Sequence, residues 1–387
     1  MKKTIKDYTY DDKRVIIRCD LNVPIKDGII TDDTRIKESL DSINYLINKN
    51  AKIIILSHLG KIESEEDKIK NTLYPVYKRL KEYLNTNVYF SKKTRGVELE
   101  TLVNNLQSKE VLLIENTRFE DFPNKLESNC DEELSKYWAK LGDVFINDAY
   151  GTTHRTHASN VGIAKYLPNA IGFLVERELT KINEILTENT HPYTLVMGGK
   201  KISDKTLVID NLINKCDYLL LGGGMCFTFL KAKGLNVGDS IVDNNNLEYC
   251  RKLLNNYKDK IILPIDIVTK DNKTVDVDNI SNSSIGYDIG PKTINLFTSI
   301  LADSKRVIIN GPMGVFEEKP FDNGTKKVYQ VLKEKEIKTL VGGGDSAASV
   351  NLLGFTNEFF HVSTGGGATL EYLSGVPLKA IEVINNK

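Results

Sequence analysis

The sequence contains neither of the two commonest nucleotide fingerprints, the Walker A pattern GxxxxGK[ST] and the dinucleotide pattern GxGxxG. A nicotinamide dehydrogenase would carry GxGxxG after a strand near the start of one domain, so its absence argues against that class of enzyme. Any nucleotide that binds to this chain must be held by another arrangement.

Cysteine is sparse, and neither sign of charge is in excess. The five cysteines show no CxxC spacing, so we expect reduced thiols in a cytosolic protein. Lysine plus arginine and aspartate plus glutamate both number 52, which gives no overall basic surface for nucleic acid or an anionic membrane. A helix that spans a bilayer needs about 20 consecutive apolar residues, and no apolar run in the sequence is nearly that long. The N-terminal segment MKKTIKDYTYDDK lacks the apolar stretch of an export signal. We therefore expect a cytoplasmic protein that binds neither nucleic acid nor membrane.

What the sequence does contain is a regular alternation of predicted strands and helices. Residues 14–22 and 52–57 read as strands, the second almost wholly apolar, as expected for a parallel strand covered on both faces. Between them, residues 34–49 place isoleucine and leucine at helical spacing. Further elements of the first half are helices at 74–84, 98–106 and 131–141 and strands at 88–90, 111–115 and 144–146. This alternation predicts a parallel sheet with helices on both faces.

A second series of strands follows a long helix. Residues 175–186 form a helical segment without glycine or proline, which is suited to connect two domains. Beyond Pro192, strands are predicted at 194–197, 218–221, 261–269, 306–310, 339–341 and 359–362. Because 387 residues are many for one core, the predicted fold class is α/β, with two doubly wound parallel-sheet, Rossmann-like domains joined by a helix and hinge.

Four glycine-rich turns follow predicted strands in the second half. They are MGGKK at 197–201, LGGGM at 221–225, GGGD at 342–345 and STGGGA at 363–368. One GGGD alone is more often a strand-to-helix turn that uses glycine for its dihedral angles. Four such turns along one sheet edge favour a phosphate site, because glycine admits a ligand close to the backbone and helix N-termini attract anions. Asp345 then stands where it can hold a magnesium ion against the phosphate.

Three further side chains of the second half suit a nucleotide. Lys201 and Lys205 lie four residues apart at the start of a predicted helix, hence on one face, where two ammonium groups can meet phosphates. A solvated basic face is the alternative. Glu317 ends the segment NGPMGVFE and is placed to accept hydrogen bonds from a ribose.

Basic and polar side chains follow the predicted strands of the first half. They are Asp20, Asn22, His58, Arg118, Asp148, His154, Arg155 and His157, to which Arg35 adds a further cation. Each alone is more readily explained as a solvated charge or a satisfied histidine. Together at the carboxyl edge of one sheet they favour a small phosphorylated carboxylate, because guanidinium groups bind such oxygens bidentately. The histidines of HRTH have no cysteine or carboxylate at matching spacing, so zinc is not expected.

These motifs occur together, and in this order, in one known family. From Arg18 to Ala368, essentially the whole chain, the sequence contains RCDLNVP, TDDTRI, SHLGK, ENTRFE, NDAYGTTHRTHAS, GGKKISDK, GGGM, DIGPKT, NGPMGVFE, GGGDSAA and STGGGA. The set resembles the phosphoglycerate kinase family. The resemblance implies a phosphoglycerate-binding domain of residues 1–170 and an Mg-nucleotide-binding domain of residues 171–370, with a tail of residues 371–387 that packs back on the first.

The resemblance also implies roles for individual residues. Substrate binding is implied for Asp20, Leu21, Asn22, Arg35, His58, Leu59, Gly60, Lys61, Arg118 and Arg155. Nucleotide binding is implied for Gly199, Lys201, Lys205, Gly222, Gly223, Gly286, Asn310, Glu317, Gly343, Gly344, Asp345 and Ser346. Arg35 and Lys201 are implied as catalytic, Gly365 and Gly366 as transition-state support, and Asp345 as the ligand of Mg²⁺.

The implied reaction is reversible phosphoryl transfer between ATP and the carboxylate of 3-phosphoglycerate, which gives ADP and 1,3-bisphosphoglycerate in glycolysis and gluconeogenesis. A carboxylate is already ionised at neutral pH, so catalysis needs no general base and rests on positioning and charge stabilisation. Substrates on separate domains also require hinge closure, in which we expect the 175–186 helix to take part. The expected protein is a monomer whose small-molecule partners are 3-phosphoglycerate and ATP or ADP.

Four positions depart from the usual family motifs. Lys61 stands in place of arginine, Lys200 in place of alanine, Thr117 in place of leucine and Ile309 in place of tryptophan. We expect these four departures to affect nucleotide preference and kinetic constants but not the type of reaction. The alternative function is a non-catalytic two-domain binding protein for a small anionic ligand, which would normally carry an export signal and would not need Lys201, Lys205 and Asp345.

Overall fold

The computed structural model describes all 387 residues, and their contacts divide the chain into two compact units. Unit 1 consists of Met1–Thr180 and Pro377–Lys387, and unit 2 consists of Lys181–Val376. The predicted boundaries at residues 170 and 370 lie before these limits, and the assignment of a substrate to each domain stays a prediction. No helix of the chain is long and apolar enough to cross a membrane.

Unit 1 is built around a six-stranded parallel sheet. The strands of the unit are β1 (Arg14–Cys19), β2 (Ile25–Lys26), β3 (Ile29–Ile30), β4 (Lys52–Leu56), β5 (Val88–Ser91), β6 (Val111–Ile114), β7 (Val144–Asp148) and β8 (Asn169–Ile171). The order in the sheet is β5-β6-β4-β1-β7-β8, while β2 and β3 pair as a separate antiparallel hairpin. The helices are α1 (Thr34–Asn48), α2 (Glu65–Lys70), α3 (Tyr74–Tyr83), α4 (Val97–Asn105), α5 (Glu132–Ala139) and the first part of α6 (Phe173–Thr187).

The central strands of this sheet bury both of their faces. Ile16 and Ile54 belong to a core layer that contains Trp138, while Ile17 and Ile55 belong to the layer on the opposite face. Since successive side chains alternate across a strand, a sheet covered on both faces requires nearly continuous apolar runs. Each fully buried isoleucine contributes about 1.5–3 kcal/mol, so this double burial fixes the positions of the strands.

Unit 2 contains a second six-stranded parallel sheet and a small antiparallel one. Its strands are β9 (Tyr193–Met197), β10 (Tyr218–Leu221), β11 (Ile261–Ile262), β12 (Asp266–Thr269), β13 (Thr274–Asp276), β14 (Gly286–Ile289), β15 (Arg306–Asn310), β16 (Lys338–Gly342) and β17 (His361–Val362). The parallel sheet has the order β11-β10-β9-β15-β16-β17, and β13-β12-β14 form the antiparallel sheet. The helices are α7 (Thr206–Leu212), α8 (Cys226–Ala232), α9 (Leu247–Asn256), α10 (Pro291–Asp303), α11 (Asn323–Glu334), α12 (Gly344–Leu352) and α13 (Gly367–Leu373).

The last residues of the chain pack within unit 1. They contain α14 (Lys379–Glu382), whose Ala380 N–H donates to the Thr153 carbonyl at 2.9 Å. Near the chain ends, the Lys3 N–H donates to the Asn385 carbonyl at 2.8 Å. The N-terminal and C-terminal segments therefore stabilise the same unit.

The predicted α/β class with two doubly wound parallel sheets is confirmed. One predicted strand is wrong, because residues 261–269 form β11 in the parallel sheet and β12 in the antiparallel sheet. Pro264 lies between the two strands and has no N–H to donate, so a single ladder through this segment would be broken. The antiparallel sheet and the β2-β3 hairpin were not predicted.

Helix α6 crosses the boundary between the units, and each end is held within its own unit. At the N-terminus, the buried Asp148 carboxylate accepts from the Leu174 N–H at 2.9 Å. At the C-terminus, the buried Arg306 guanidinium donates to the carbonyls of Ile185 at 2.6 Å and Thr190 at 3.1 Å. It also stacks on the Tyr193 ring, 4.0 Å from the centroid, so one side chain caps the helix and fixes the following loop.

Replacing Arg306 with methionine keeps much of the buried volume but leaves the carbonyls of Ile185 and Thr190 without their donor. We expect the free energy of unfolding of unit 2 to fall by about 2–4 kcal/mol. Hydrogen exchange of the β9 and β15 amides measures this change. The matched control is Lys305→Met, which alters an exposed neighbour and should stay within about 0.5 kcal/mol of the wild type. Equal losses in the two variants would contradict the capping role.

Candidate active site

In unit 1, the predicted substrate residues lie at the carboxyl edge of the parallel sheet. Strands β6, β4, β1 and β7 are neighbours in that order, so the segments that follow them meet at one edge. Arg118 lies in a short helical turn, Thr117–Asp121, that follows β6. We call the cations and histidines at this edge the basic cluster, which consists of Arg18, Arg35, His58, Arg118, Arg155 and His157.

Arg35 reaches the cluster from the first turn of α1. Its Nη1 pairs with Asp20 Oδ2, and the Asp20 carboxylate is nearly buried while 36% of the Arg35 side chain is exposed. Gly151 lies against this pair, since a Cβ atom there would be 2.5 Å from Asp20 Oδ2. Asp20 therefore orients a guanidinium that a ligand can reach.

Several predicted substrate residues hold the loops of this edge in place. The Asn22 side-chain oxygen accepts from the Gly60 N–H at 2.9 Å, and the Leu21 N–H donates to Ser57 Oγ at 2.9 Å. Gly60 has φ +59°, a backbone conformation that glycine adopts without strain. The exposed Lys61 follows this turn, whereas Leu59 is buried.

Two buried cluster residues present polar atoms that have no hydrogen-bond partner in the protein. These atoms are Arg118 Nε and His157 Nδ1. Leaving the Arg118 Nε–H buried without a partner costs about 1–3 kcal/mol, so an anionic ligand that accepts from it would be bound strongly, whereas His157 Nδ1 faces the buried Glu127 carboxylate at 3.8 Å. Burial and the Arg118 guanidinium lower the pKa of His157 to about 3, so His157 is neutral at physiological pH. The positive charge of the cluster therefore comes from its arginines.

In unit 2, the glycine-rich turns interlock at the carboxyl edge of the second sheet. The Gly199 N–H donates to the Pro312 carbonyl at 2.9 Å, and the Gly223 N–H donates to the Met313 carbonyl at 2.9 Å. Gly223 has φ +59°, and a Cβ atom there would lie 2.5 Å from the Gly199 backbone nitrogen. The three turns after β9, β10 and β15 can approach this closely only because glycine lacks a side chain.

The turns form one wall of a cleft of about 510 Å³. The cleft combines apolar and aromatic side chains with glycines, one lysine and three carboxylates. Its lining residues are Gly199, Lys200, Gly223, Gly224, Ile241, Ile285, Gly286, Tyr287, Pro312, Gly314, Val315, Phe316, Glu317, Glu318 and Asp345. A volume and lining of this kind suit a planar base with a polar, phosphorylated tail.

Two predicted nucleotide residues connect the turns to one another. Asn310 Nδ2 donates to the Gly342 carbonyl at 2.9 Å, and Ser346 Oγ accepts from the Gly311 N–H at 2.6 Å. Both side chains are buried, so in this structure they hold the glycine-rich turns in place. By contrast, Asp345 is exposed in the first turn of α12, so its carboxylate lies beside the N–H groups at the N-terminus of that helix.

The prediction that Lys201 and Lys205 share a helical face is wrong. Helix α7 begins at Thr206, and residues 201–205 form a turn in which the Lys205 N–H donates to the Ile202 carbonyl at 2.8 Å. Ile202 is fully buried within that turn. Lys201 is exposed beside a different groove, which it shares with Asp243.

Lys205 instead lies at the base of the glycine-rich turns. Its Nζ would be 3.7 Å from a Cβ atom placed on Gly199. Burial lowers the pKa of Lys205, while the charges of Asp204 and Asp345 oppose that shift. A partly buried ammonium without a close carboxylate is well placed to pair with a phosphate.

The remaining glycines of the prediction occupy three different settings. Gly222 packs against the Met313 side chain, and Gly286 packs against the Phe227 ring, which a Cβ atom would meet at 2.0 Å. Gly365 and Gly366 follow β17 and precede α13, and the Gly365 N–H donates to Ser363 Oγ at 3.2 Å. Gly343 has φ +97° and caps α12 at its N-terminus.

Comparison with known proteins identifies the family. The family model for phosphoglycerate kinase matches residues 5–376. Relatives named phosphoglycerate kinase are 50% identical over 398 residues in Fusobacterium nucleatum and 48% identical over 395 residues in Macrococcus caseolyticus, with 100% of both chains covered in each case. The chain belongs to the phosphoglycerate kinase family. The family and enzyme class predicted from the sequence, a phosphotransferase, are thereby confirmed.

Solved phosphoglycerate kinases share this architecture over nearly the full length. The structure from Coxiella burnetii has a TM-score of 0.86 at 34% identity and covers 99% of this chain and 98% of its own. The structure from Pyrococcus horikoshii has a TM-score of 0.84 at 31% identity, with 99% and 98% covered.

Sequence reasoning missed several residues that support the edge of the unit 1 sheet. Asn116 accepts from the N–H groups of Leu59 at 3.1 Å and Arg118 at 3.0 Å, so it ties two loops together. Arg18, itself a member of the basic cluster, is fully buried, as are Glu127 and Ser159. The only sequence signal for this group was an arginine inside the apolar strand RVIIRC. Asp148 was expected among the edge residues, but it caps α6 instead.

Two glycines of the glycine-rich turns in unit 2 should respond differently to replacement by alanine. At Gly223, the new Cβ atom meets backbone at positive φ, so we expect a loss of about 1–3 kcal/mol in the free energy of unfolding. At Gly344, no atom lies within 4 Å of the new Cβ, so unfolding should change by less than about 0.5 kcal/mol. Urea unfolding compares the two variants. A destabilised Gly344→Ala with an unaffected Gly223→Ala would show that turn packing is not what requires these glycines.

Proposed function

We propose that this phosphoglycerate kinase transfers a phosphoryl group reversibly between ATP and the carboxylate of 3-phosphoglycerate, giving ADP and 1,3-bisphosphoglycerate. The observation that carries the proposal is the pair of unlike sites at the carboxyl edges of two parallel sheets. One edge holds buried arginine and histidine atoms without partners, and the other holds interlocked glycine turns beside a cleft. An acid with a phosphate suits the first edge, and a nucleotide suits the second.

On unit 1, the arginines of the basic cluster bind the acid substrate. Arg118 and Arg155 neutralise its phosphate, and Arg35, oriented by Asp20, approaches its carboxylate. His58 contributes a hydrogen bond, and Leu21, Asn22, Leu59, Gly60 and Lys61 shape the loops around it. Lys61 supplies a point charge rather than a planar fork, which weakens directional binding but keeps attraction for an anion.

On unit 2, the nucleotide lies along the cleft. Its base packs between the apolar walls that include Ile241 and Phe316, and Glu317 accepts hydrogen bonds from the ribose. The phosphates meet Lys205, Lys201 and the N–H groups of Gly343, Gly344 and Ser346 at the start of α12. Lys201 is exposed in this structure, so its side chain must turn towards the phosphates to take part.

The cleft also fits a magnesium ion. Asp345 is an exposed carboxylate beside the N-terminus of α12, and Mg²⁺ is usually held by one or two carboxylates together with substrate phosphates. When bound, the ion neutralises charge on the phosphates. No second protein carboxylate is required for this arrangement.

Catalysis in this scheme rests on placement and charge. The attacking carboxylate is ionised at neutral pH, so no residue has to remove a proton from it. Arg35 and Lys201 meet the oxygens of the transferring group, and the amides of Gly365 and Gly366 add further donors at the start of α13. Arg35 is oriented in advance by Asp20, whereas the Lys201 side chain has to turn towards the phosphates before it contributes.

We propose a cytoplasmic location and a monomeric state for the enzyme. All five cysteines are unpaired, which supports a reducing compartment. Nucleic acid and membrane are not among the proposed partners.

Initial rates of ADP production from MgATP, with and without 3-phosphoglycerate, test the proposal. We expect acid-dependent turnover in the wild type and a fall of about 100-fold or more in kcat for Arg35→Ala, because one charged donor to the transferring group is lost. The KM for ATP should change by less than about threefold, since Arg35 belongs to unit 1.

Arg14→Ala is the matched control for this assay. Arg14 begins β1 at the opposite edge of the same sheet, where it pairs with Asp143 at 3.0 Å, and its loss should leave kcat unchanged. A folded wild type that binds MgATP but shows no acid-dependent turnover would refute the proposed reaction. Binding of both ligands without turnover would favour the non-catalytic alternative.

A further inference from the structure

A chain of buried hydrogen bonds links two members of the basic cluster, Arg18 and His58, to Ser159 and Glu127. Glu127, Ser159 and Arg18 are fully buried, and only 8% of His58 is exposed. Arg18 Nε donates to Ser159 Oγ at 2.9 Å, and Arg18 Nη2 lies 3.2 Å from His58 Nδ1. The Ser159 N–H donates to one Glu127 carboxylate oxygen at 2.9 Å, and its hydroxyl group donates to the other. The chain connects a buried carboxylate to an imidazole at the ligand-binding edge.

Donor and acceptor capacities fix the protons along this chain. A guanidinium group has only donors, so His58 Nδ1 must be the acceptor of the hydrogen bond from Arg18. The remaining ring proton of a neutral His58 therefore sits on Nε2. At the other end, the Ser159 hydroxyl proton points to Glu127, which leaves its lone pairs for the Arg18 Nε–H. Glu127 and Ser159 thus set the orientation of the Arg18 guanidinium.

The surroundings of His58 keep the ring neutral. Burial, followed by the positive charges of Arg18 and Arg118, holds the pKa of His58 well below its usual range. His157 and Arg155, from the segment after β7, act in the same direction. Carboxylates also lie on these elements, but Asp20 after β1 pairs with Arg35, and Asp121 in the turn after β6 pairs with Arg118, so the largest electrostatic influences on the ring are cations.

We propose that Arg18 is a positioning residue that fixes His58 as a neutral hydrogen-bond donor, through Nε2–H, to an oxygen of the acid substrate. The identity of that ligand rests on the proposed function, whereas the tautomer is a property of the chain itself. The arginines then supply the charge that attracts the acid, and His58 supplies one directional donor that does not titrate. Binding of the acid substrate through His58 is consequently independent of pH near neutrality.

Nitrogen NMR of the imidazole rings tests the tautomer directly. Long-range ¹H–¹⁵N correlation spectra of the full-length, ¹⁵N-labelled protein distinguish an Nε2–H ring from an Nδ1–H ring and from a cation. The chain has five histidines, and His58→Gln identifies the His58 signal by its disappearance. We expect this signal to show the Nε2–H tautomer and not to titrate between about pH 5.5 and 8.

Two variants test the role of Arg18. Arg18→Met removes the donor and the charge, so His58 should titrate closer to its usual pKa, and the KM for 3-phosphoglycerate should rise about tenfold and depend on pH. The KM for ATP should change by less than about twofold. Because a buried arginine can be needed for folding, Ser159→Ala is the second variant, which keeps the cation but removes its anchor. We expect exchange between His58 tautomers in Ser159→Ala.

Ser91→Ala is the matched control for the serine variant. Ser91 is also fully buried in unit 1, but it lies in the edge strand β5, where its hydroxyl donates to the Lys93 carbonyl at 2.8 Å, so its loss should leave the His58 signal unchanged. A wild-type His58 that is Nδ1–H or titrates normally would overturn the proposal, whatever the activity. An Nε2–H ring without acid-dependent turnover would support the positioning role of Arg18 and refute the proposed reaction, so the two failures are distinguishable.

Discussion

Parallel strand pairing gives all strands of a sheet one direction, and both candidate sites depend on that constraint. Because β1 pairs with β4 and with β7, the segments carrying Asp20, His58 and Arg155 emerge at the same edge. The same holds where β9 pairs with β10 and β15, which brings three glycine-rich turns together. Burial of isoleucine and leucine on both faces of each sheet fixes the strands, and therefore the position of every residue that follows them.

The two edges use that position in opposite ways. At the first edge, large charged side chains are buried. Burial, together with the positive charge of the neighbouring arginines, lowers the pKa of His58 and His157 and keeps both rings neutral. At the second edge, side chains are absent where the backbones meet, since Gly223 leaves no room for a Cβ atom beside Gly199. Fixed cations suit a small acid with two anionic ends. Exposed amides and a cleft with apolar walls suit a nucleotide.

Much of this arrangement could be predicted from the sequence, because doubly buried strands have a strong local pattern. Strands β4 and β15 were predicted to within one residue of their observed bounds. The positions of the residues that follow these strands at the sheet edge could therefore be predicted as well. The antiparallel pairing of β12 with β13 and β14 was not predicted, although Pro264 interrupts the run of residues 261–269 in the sequence itself. Lys201 was placed at the start of a helix that follows the MGGKK turn, but residues 201–205 form a turn and α7 begins only at Thr206. The bonds between Arg18, Ser159 and Glu127 join residues far apart in the chain, so no local pattern reveals them.

The central claim is that unit 1 binds the acid and unit 2 binds the nucleotide. Hydrogen–deuterium exchange of the full-length protein with each ligand alone measures this division most directly. With 3-phosphoglycerate, we expect slower exchange in the segments that follow β1, β4, β6 and β7, and with MgATP in those that follow β9, β10, β15 and β16. Protection of the unit 1 segments by MgATP alone, or of the unit 2 segments by 3-phosphoglycerate alone, would contradict the account.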